Sequence, residues 1–210
     1  MTARARLPAV TDVEVLDHTD GPGHGHDVAV GSPSPVSVGV VVWLASELMF
    51  FSGLFAAYFT LRASTSPWPP TGVELNTVRT GIATLVLVAS SATMHVGVRA
   101  AERDNRPLAV RWLSVTALLG LLFLANQALE YADSSFSISS HAYGSIFFLM
   151  TGFHGLHVLG GILLMGAVIG TIAGPGSRAP AGSTAQVCGY YWHFVDVVWV
   201  AMFATIYLIK

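Results

Sequence analysis

The chain has 210 residues, of which 53% are hydrophobic and only 10% are charged, whereas soluble domains carry roughly 25% charged residues. So few polar side chains could not cover the surface of a soluble globule, and the composition therefore indicates a polytopic membrane protein. The net charge of −2 provides no basic field of the kind that binds nucleic acid, and the single cysteine, Cys188, excludes a disulfide within the chain.

Residues 1–35 differ from the rest of the chain because they are acidic, rich in Gly and Pro, and without helical or strand periodicity. We expect them to form a flexible, solvated tail. Arg4 and Arg6 are not followed by the apolar core of a signal peptide, so we expect the tail to stay in the cytoplasm. His24 and His26 could bind a metal ion weakly, but a disordered linker is the plainer interpretation.

Five apolar segments follow the tail, and each is long enough to cross a membrane as a helix. The predicted fold is therefore all-α, a polytopic bundle of five transmembrane helices occupying residues 36–210. The predicted helices are 36–61, 79–99, 110–131, 142–173 and 187–209. The fourth would be ~48 Å long at the helical rise, so it must tilt or project beyond a hydrocarbon core of ~30 Å.

Basic residues are distributed unevenly between the two sets of loops. One set includes the tail and contains Arg4, Arg6, Arg99, Arg103, Arg106, Arg111 and Arg178; the other contains Arg62, Arg79 and Lys210. The positive-inside rule therefore predicts a cytoplasmic N-terminus and a C-terminus outside.

Five ionisable side chains lie near the middle of the predicted membrane segments: Glu47, His154, His157, His193 and Asp196. At the helical rise, four of them lie ~14–22 Å from the segment end from which they are counted, and His193 lies one turn before Asp196. A carboxylate at the centre of a membrane helix costs about 2.5–3.5 kcal/mol even on a lenient scale. Each is therefore expected to face the interior and to be hydrogen-bonded, paired with an imidazole, or protonated. We predict that the five form one interior polar network that fixes helix packing or buffers protons.

Further residues are candidates for packing, lipid contact or a second polar site. Small residues near the network should let the helices approach closely; they are Gly53, Ala57, Gly155, Gly166 and Gly170. The lipid or packing candidates are Trp43, Trp192, Trp199 and Gly155. Glu130 and Tyr131 close the third segment and form a candidate secondary polar site.

Several functions remain open from these residues alone. A haem held by His193 with His154 or His157 is conceivable, although the chain lacks the Glu-x-x-His motifs of di-iron bundles. The polar network could instead fix helix packing or handle protons. Ion-coupled transport through Glu47 and Asp196 is a further alternative, but the chain shows no internal repeats of the kind that transporters carry.

Three stretches resemble subunit III of the haem–copper oxidases, with cytochrome c oxidase subunit III as the best match. They are SELMFFSGLFAAYF at 46–59, the stretch 128–161 that ends in TGFHGLHVLGG, and YYWHFVDVVWVAMFATIY at 190–207. The resemblance implies that Glu47 is the membrane glutamate that carbodiimides modify in this family. It implies further that three pairs of residues match motifs of the family. They are His154 and His157, His193 and Asp196, and Glu130 and Tyr131.

The resemblance also implies a role. We expect an accessory, non-catalytic subunit of a proton-pumping terminal oxidase in a bacterial plasma membrane, packed against subunit I in a complex with subunit II. Haem and copper would lie in those partner subunits, with no metal or redox centre in this chain. The subunit would bind phospholipid, stabilise subunit I through turnover and keep proton uptake fast. The electron donor, cytochrome c or quinol, stays open, as does membership of a larger respiratory supercomplex.

Longer members of the family differ from this chain at the N-terminal end. They have two further helices ahead of the first shared segment, with a lipid-filled cleft between the two groups. Here residues 1–35 take that place, so we expect the far wall of the cleft to come from lipid, from another subunit or from extra helices of subunit I. The histidine that follows the family's first shared helix is also missing.

Overall fold

The structure is a computed structural model that describes residues 35–174 and 181–209. It contains five long helices, the last of which continues into a π-helical turn. They are α1 (Pro35–Ser64), α2 (Thr77–Glu102), α3 (Arg106–Asp133), α4 (Ala142–Ala173), α5 (Ala181–Phe203) and the π-turn (Ala204–Leu208). All five helices are long and apolar enough to cross a membrane, which confirms the predicted all-α class. The tail prediction, with His24 and His26, lies outside the described residues.

Polar side chains in the loops cap the first turns of three helices. The Asn76 side chain accepts a hydrogen bond from the backbone N–H of Arg79 at 3.0 Å, and Asn105 caps α3 in the same way. Nδ1 of His141 accepts from the N–H of Gly144 at 2.8 Å. Such caps satisfy N–H groups that lack a partner within the helix. Because Asn76 and Asn105 lie in polar sequence, α2 and α3 begin before the apolar segments from which they were predicted.

The α5 helix is the most buried of the five and packs against α2, α4 and, less extensively, α1. Trp192 and Trp199 of α5 are completely buried. Their indole N–H groups donate to Ser90 and Thr84 of α2, each at 2.9 Å. Because a buried indole needs a partner for its N–H, these bonds hold α5 against α2. Both tryptophans are thus packing residues that do not face lipid.

Two glycines make room for the indole ring of Trp192. A Cβ added to Gly161 of α4 would lie 2.7 Å from the Trp192 ring, and one added to Gly120 of α3 would lie 2.6 Å from it. Both distances are far inside van der Waals contact. The indole of Trp192 therefore fills a space between α3, α4 and α5 that exists only because both positions lack a side chain.

The glycines predicted to allow close helix approach lie elsewhere. Nothing lies within 4 Å of a Cβ built at Gly53, Gly166 or Gly170, and Ala57 is exposed. At Gly155 the added atom would make an ordinary contact of 3.8 Å. The prediction that these small residues bring the helices together is therefore wrong, because most of them lie on outward helix faces.

The α1 helix packs against α4 and α5 and leaves most of its apolar surface exposed. Its C-terminal end is tied to the π-turn region. The Tyr58 hydroxyl donates to the carbonyl of Thr205 at 3.2 Å, and the Arg62 guanidinium donates to the carbonyl of Ile209. The end of α1 and the end of the α5 segment therefore lie on the same side of the bundle.

Candidate polar sites within the membrane helices

Glu47 of α1 and His157 of α4 form a pair at the seam between these two helices. Oε2 of Glu47 lies 3.1 Å from Nε2 of His157. The Glu47 side chain is 23% exposed and that of His157 is 16% exposed. The Phe51 ring meets the imidazole edge-on, with the ring centroids 5.1 Å apart. The bond therefore lies in apolar surroundings, where electrostatic attraction is stronger than in water.

The second ring nitrogen of His157 determines how many protons this pair shares. Nδ1 lies 2.7 Å from the backbone carbonyl of Phe153, and a carbonyl oxygen can only accept, so Nδ1 carries a hydrogen. If the imidazole is neutral, Nε2 is bare and must accept from a protonated Glu47. If the imidazole is charged, Nε2 donates to a carboxylate. In both states one proton lies between the two residues and the pair has no net charge, which limits the cost of burial.

Aromatic residues of α1 and α5 support the same seam. The Tyr191 hydroxyl donates to the backbone carbonyl of His157 at 3.0 Å. Trp43 stacks on the Tyr191 ring with the centroids 5.3 Å apart and the planes 3° from parallel. Trp43 is 46% exposed, so it packs on one face and presents the other to the surroundings of the bundle.

The side chains of His154 and His157 contact different residues, although the two positions are only three residues apart on α4. Residues at this spacing differ by about 60° around a helix, and here that angle is enough to separate them. The ring of His154 is buried between Trp199, at a centroid distance of 4.9 Å, and Phe123, at 5.9 Å. Neither of its ring nitrogens has a hydrogen-bond partner among the described residues. His154 is therefore an imidazole within an aromatic core between α3, α4 and α5.

His193 and Asp196 of α5 meet a residue of α2 that the sequence did not single out. Oγ of Ser91 lies 3.0 Å from Nδ1 of His193 and also bonds to Oδ2 of Asp196. Asp196 is buried and His193 is partly buried. The three side chains form a second hydrogen-bonded group, which we call the Ser91–His193–Asp196 group. Depth alone does not separate Ser91 from the other hydroxyl residues of α2, so no sequence signal identifies it.

The prediction of one interior network is therefore wrong. The five side chains fall into three places: the Glu47–His157 pair, the isolated ring of His154, and the group that contains His193 and Asp196. Within residues 35–174 and 181–209 no hydrogen bond joins these places. The physical reason is that His193 and Asp196 of α5 meet α2, whereas Tyr191 of α5 meets α4 and α1. Equal depth in the membrane therefore does not bring side chains together.

Glu130 and Tyr131 connect α3 to two different helices. The Thr80 hydroxyl of α2 donates to Oε2 of Glu130 at 3.0 Å, and both residues are buried. The Tyr131 hydroxyl instead shares a hydrogen bond with Thr151 of α4 at 2.7 Å. The two residues of the predicted secondary polar site therefore hold α3 between α2 and α4, one on each side.

Metal binding was one alternative left open for the membrane histidines. In the part of the chain that the structure describes, no three His, Cys, Asp or Glu side chains lie where they could hold a metal ion together. His157 and His193 each use Nδ1 in a hydrogen bond, and His154 is enclosed by aromatic rings. These imidazoles therefore occupy three separate places, two with a hydrogen bond and one among aromatic rings.

Comparison with known proteins gives a consistent family. The family model described as cytochrome c oxidase subunit III matches residues 17–210. A protein of Mycobacterium tuberculosis named "Probable cytochrome c oxidase subunit 3" is 49% identical over 187 residues, covering 87% of this chain and 92% of that relative. The cytochrome c oxidase subunit 3 of Corynebacterium diphtheriae is 44% identical over 188 residues, covering 87% of this chain and 92% of the relative.

A more distant relative matches over a similar length. The cytochrome c oxidase subunit 3 of Synechocystis is 37% identical over 194 residues, covering 91% of this chain and 82% of the relative. The family match extends from within the tail to the last residue, so it includes all five helices and every polar site described above. The resemblance seen in the membrane motifs is thereby confirmed, and the chain belongs to the cytochrome c oxidase subunit III family.

Proposed function

We propose that this accessory subunit stabilises the catalytic subunit of a proton-pumping cytochrome c oxidase and holds no redox centre itself. Membership of the family supports a place in a hetero-oligomeric oxidase complex. In that complex subunits I and II would hold the haem and copper and carry electrons from cytochrome c to oxygen. The names of the relatives favour cytochrome c over quinol as the donor.

The Glu47–His157 pair is the observation that carries the proposal for this chain's own residues. It joins the sparsely packed α1 to the rest of the bundle, and it holds one proton in either of two equivalent ways. The shared proton can pass between Glu47 and His157 without movement of a helix, because the change is confined to one hydrogen bond. We therefore assign to it both a packing role and a proton-buffering role close to the proton uptake path of subunit I.

The outer surface of α1 supports a lipid-binding role. Its exposed side chains are large and apolar, and Val42 and Met49 are among the most exposed. A helix with such a surface needs hydrocarbon around it. We propose that phospholipid chains and a helix of subunit I cover this face, with the outward side of the Trp43 ring against them.

Glu47→Gln and Glu47→Leu in the assembled complex test this role together. Glutamine can still donate a hydrogen bond to Nε2 of His157 but cannot titrate, whereas leucine removes both properties. We expect Glu47→Gln to lower resistance to inactivation during turnover, and Glu47→Leu to lower retention of this subunit and bound phospholipid as well. Oxygen consumption over repeated turnover, subunit stoichiometry and lipid phosphorus are the measurements.

Ser52→Ala is the matched control on the same helix. Ser52 is exposed, and among the described residues its hydroxyl bonds only to the carbonyl of Leu48 within α1. All three measurements should therefore stay at the wild-type level. The proposal is wrong if Glu47→Leu also leaves subunit retention, lipid content and turnover stability unchanged. A loss in Glu47→Leu with none in Glu47→Gln would reduce the role of the pair to packing.

A further inference from the structure

We propose that the Ser91–His193–Asp196 group is a proton relay between the outer surface of the bundle and the buried carboxyl of Asp196. The relay is separate from the Glu47–His157 pair and shares no residue with it. It would exchange a proton with a protonatable group that reaches the surface between α2 and α5.

The hydroxyl of Ser91 is the link in the relay. It bonds to the imidazole Nδ1 of His193 and to the carboxyl Oδ2 of Asp196 at the same time. A hydroxyl has one hydrogen, so it can donate to only one of these partners and must accept from the other. When it donates to an Asp196 carboxylate, Nδ1 carries a hydrogen and donates to Oγ. When it donates to a bare Nδ1, Asp196 is protonated and donates to Oγ.

These two arrangements differ at the free end of the imidazole. In a neutral ring one nitrogen carries the hydrogen and the other does not. With Nδ1 protonated, Nε2 of His193 is bare and can accept a proton. With Nδ1 bare, Nε2 carries the hydrogen and can give it up. The state of Nε2 is thus coupled to the protonation of Asp196 through Ser91.

The transfer is balanced in atoms and charge. An acid outside the bundle gives a proton to Nε2 of His193, and the hydrogen on Nδ1 moves to Oγ of Ser91. The original hydroxyl hydrogen of Ser91 moves to Oδ2 of Asp196, whose negative charge is neutralised. The net change is one proton added to the buried carboxyl, and the reverse sequence returns it.

The free end of the imidazole has access to the exterior. An open groove of about 270 Å³ between α2 and α5 is lined by three valines, Ser91, His193 and Asp196. His193 is partly exposed, whereas Asp196 is only 5% exposed. The valines, Val88, Val197 and Val200, are each 44% exposed or more. Nδ1 is bonded to Ser91, so we infer that Nε2 of this partly exposed ring exchanges protons through the groove. A polar ring that faces an apolar membrane surface marks a functional site.

Few other charges act on this group. His95, exposed one turn further along α2, lies within electrostatic reach of His193. Among the described residues, no ion pair joins His193 or Asp196 to a side chain of α1, α3 or α4. Ser91 bonds to both His193 and Asp196, so a proton that moves between these two residues passes through Ser91.

Infrared difference spectroscopy of the oxidase complex purified through this chain tests the relay. Spectra recorded between low and high pH should contain a carboxylic acid C=O band that is lost in Asp196→Asn. They should also contain imidazole bands that are lost in His193→Gln. In the wild type both sets should change together at one pH. In Ser91→Ala the carboxyl band should shift to higher wavenumber, because its hydrogen bond is gone, and should change at a different pH from the imidazole bands.

Two further variants separate a relay from a structural effect. Ser91→Thr keeps the hydroxyl and should restore the common change, whereas Ser52→Ala removes an unrelated hydroxyl and should alter neither band. The relay is refuted if Asp196→Asn removes no band, or if Ser91→Ala leaves the carboxyl and imidazole changes coincident. Neither outcome bears on the role of Glu47, which involves other residues and other measurements.

Discussion

The indole of Trp192 lies directly against Gly161, at a point where no side chain fits between α4 and α5. A Cβ on Gly161 would stand 2.7 Å from Cε3 and 2.9 Å from Cζ3 of that ring. The same indole donates its N–H to Ser90 of α2, so it cannot turn away without losing that bond. One aromatic ring thus fixes the spacing of three helices in the middle of the bundle.

Gly161→Ala should therefore destabilise the protein. Overpacking a filled core typically costs ~1–3 kcal/mol, and here the ring is held in place by its bond to Ser90. We expect the purified complex to lose this subunit at a lower temperature or at a lower concentration of sodium dodecyl sulfate. Native gel electrophoresis after graded treatment measures that loss.

Gly166→Ala on the same helix is the matched comparison. Nothing lies within 4 Å of a Cβ at this position, and alanine favours a helix by up to ~1 kcal/mol over glycine. Subunit retention should be unchanged or slightly improved. Equal losses from Gly161→Ala and Gly166→Ala would contradict the role given to the Trp192 contact.

The proton count at His157 leads to a spectroscopic prediction. Because the carbonyl of Phe153 accepts from Nδ1, that nitrogen should carry a hydrogen whether or not the ring is charged. Solid-state ¹⁵N spectra of histidine-labelled protein distinguish the two ring nitrogens, and His157→Gln identifies the signals. In Glu47→Gln the Nε2 signal should move while the Nδ1 signal stays in place. A bare Nδ1 in the wild type would contradict the geometry.

His154 and His157 should respond in opposite ways to the same substitution. His154→Phe removes two nitrogens that have no hydrogen-bond partner among the described residues and keeps an aromatic ring between Phe123 and Trp199. We expect stability to be unchanged or raised by ~1 kcal/mol, since unpaired buried polar atoms are costly. His157→Phe leaves Glu47 without its partner and should cost ~1–3 kcal/mol. Detergent-induced unfolding of the two variants compares them directly.

The fold could be predicted from local features of the sequence. Long uncharged segments determine where helices can cross a membrane, and cap residues such as Asn105 determine where they begin. Both signals depend on neighbours along the chain. All five helices were therefore predicted, and the errors lie at their ends, where α5 begins at Ala181, several residues before the apolar run that suggested it.

The polar sites could be predicted only in part, because counting residues along a segment gives depth but not rotation. His154 and Asp196 are buried, and the Glu47 side chain is 23% exposed. Which of them meet depends on the angle at which each helix faces its neighbours, and that angle is set by contacts such as Trp192 against Gly161. Ser91 was missed for the same reason, since an uncharged hydroxyl gains its meaning only from what it faces.

The links between α2 and α3 provide a comparison of buried and exposed polar contacts. Thr80 donates to the buried carboxyl of Glu130, so Thr80→Val, which keeps the shape, should cost ~1–3 kcal/mol. Arg79 and Asp133 form an ion pair at 2.6 Å, but the Asp133 side chain is 65% exposed. Asp133→Asn should therefore cost at most about 1 kcal/mol. The cost of Asp133→Asn should fall further in high salt, because salt screens an exposed ion pair. A larger effect of Asp133→Asn than of Thr80→Val would contradict this ranking.

The proposed orientation can be tested with single cysteines, because the natural Cys188 is 1% exposed and should react little. Thr71→Cys lies in the loop between α1 and α2, and Arg103→Cys lies between α2 and α3; both positions are exposed. If the N-terminus is cytoplasmic, a membrane-impermeant maleimide should label Cys at position 71 in intact cells, and Cys at position 103 only after the membrane is opened. The remaining arginines of the second loop should hold the orientation. The reverse labelling pattern would place the N-terminus outside and would contradict the predicted cytoplasmic location of the tail.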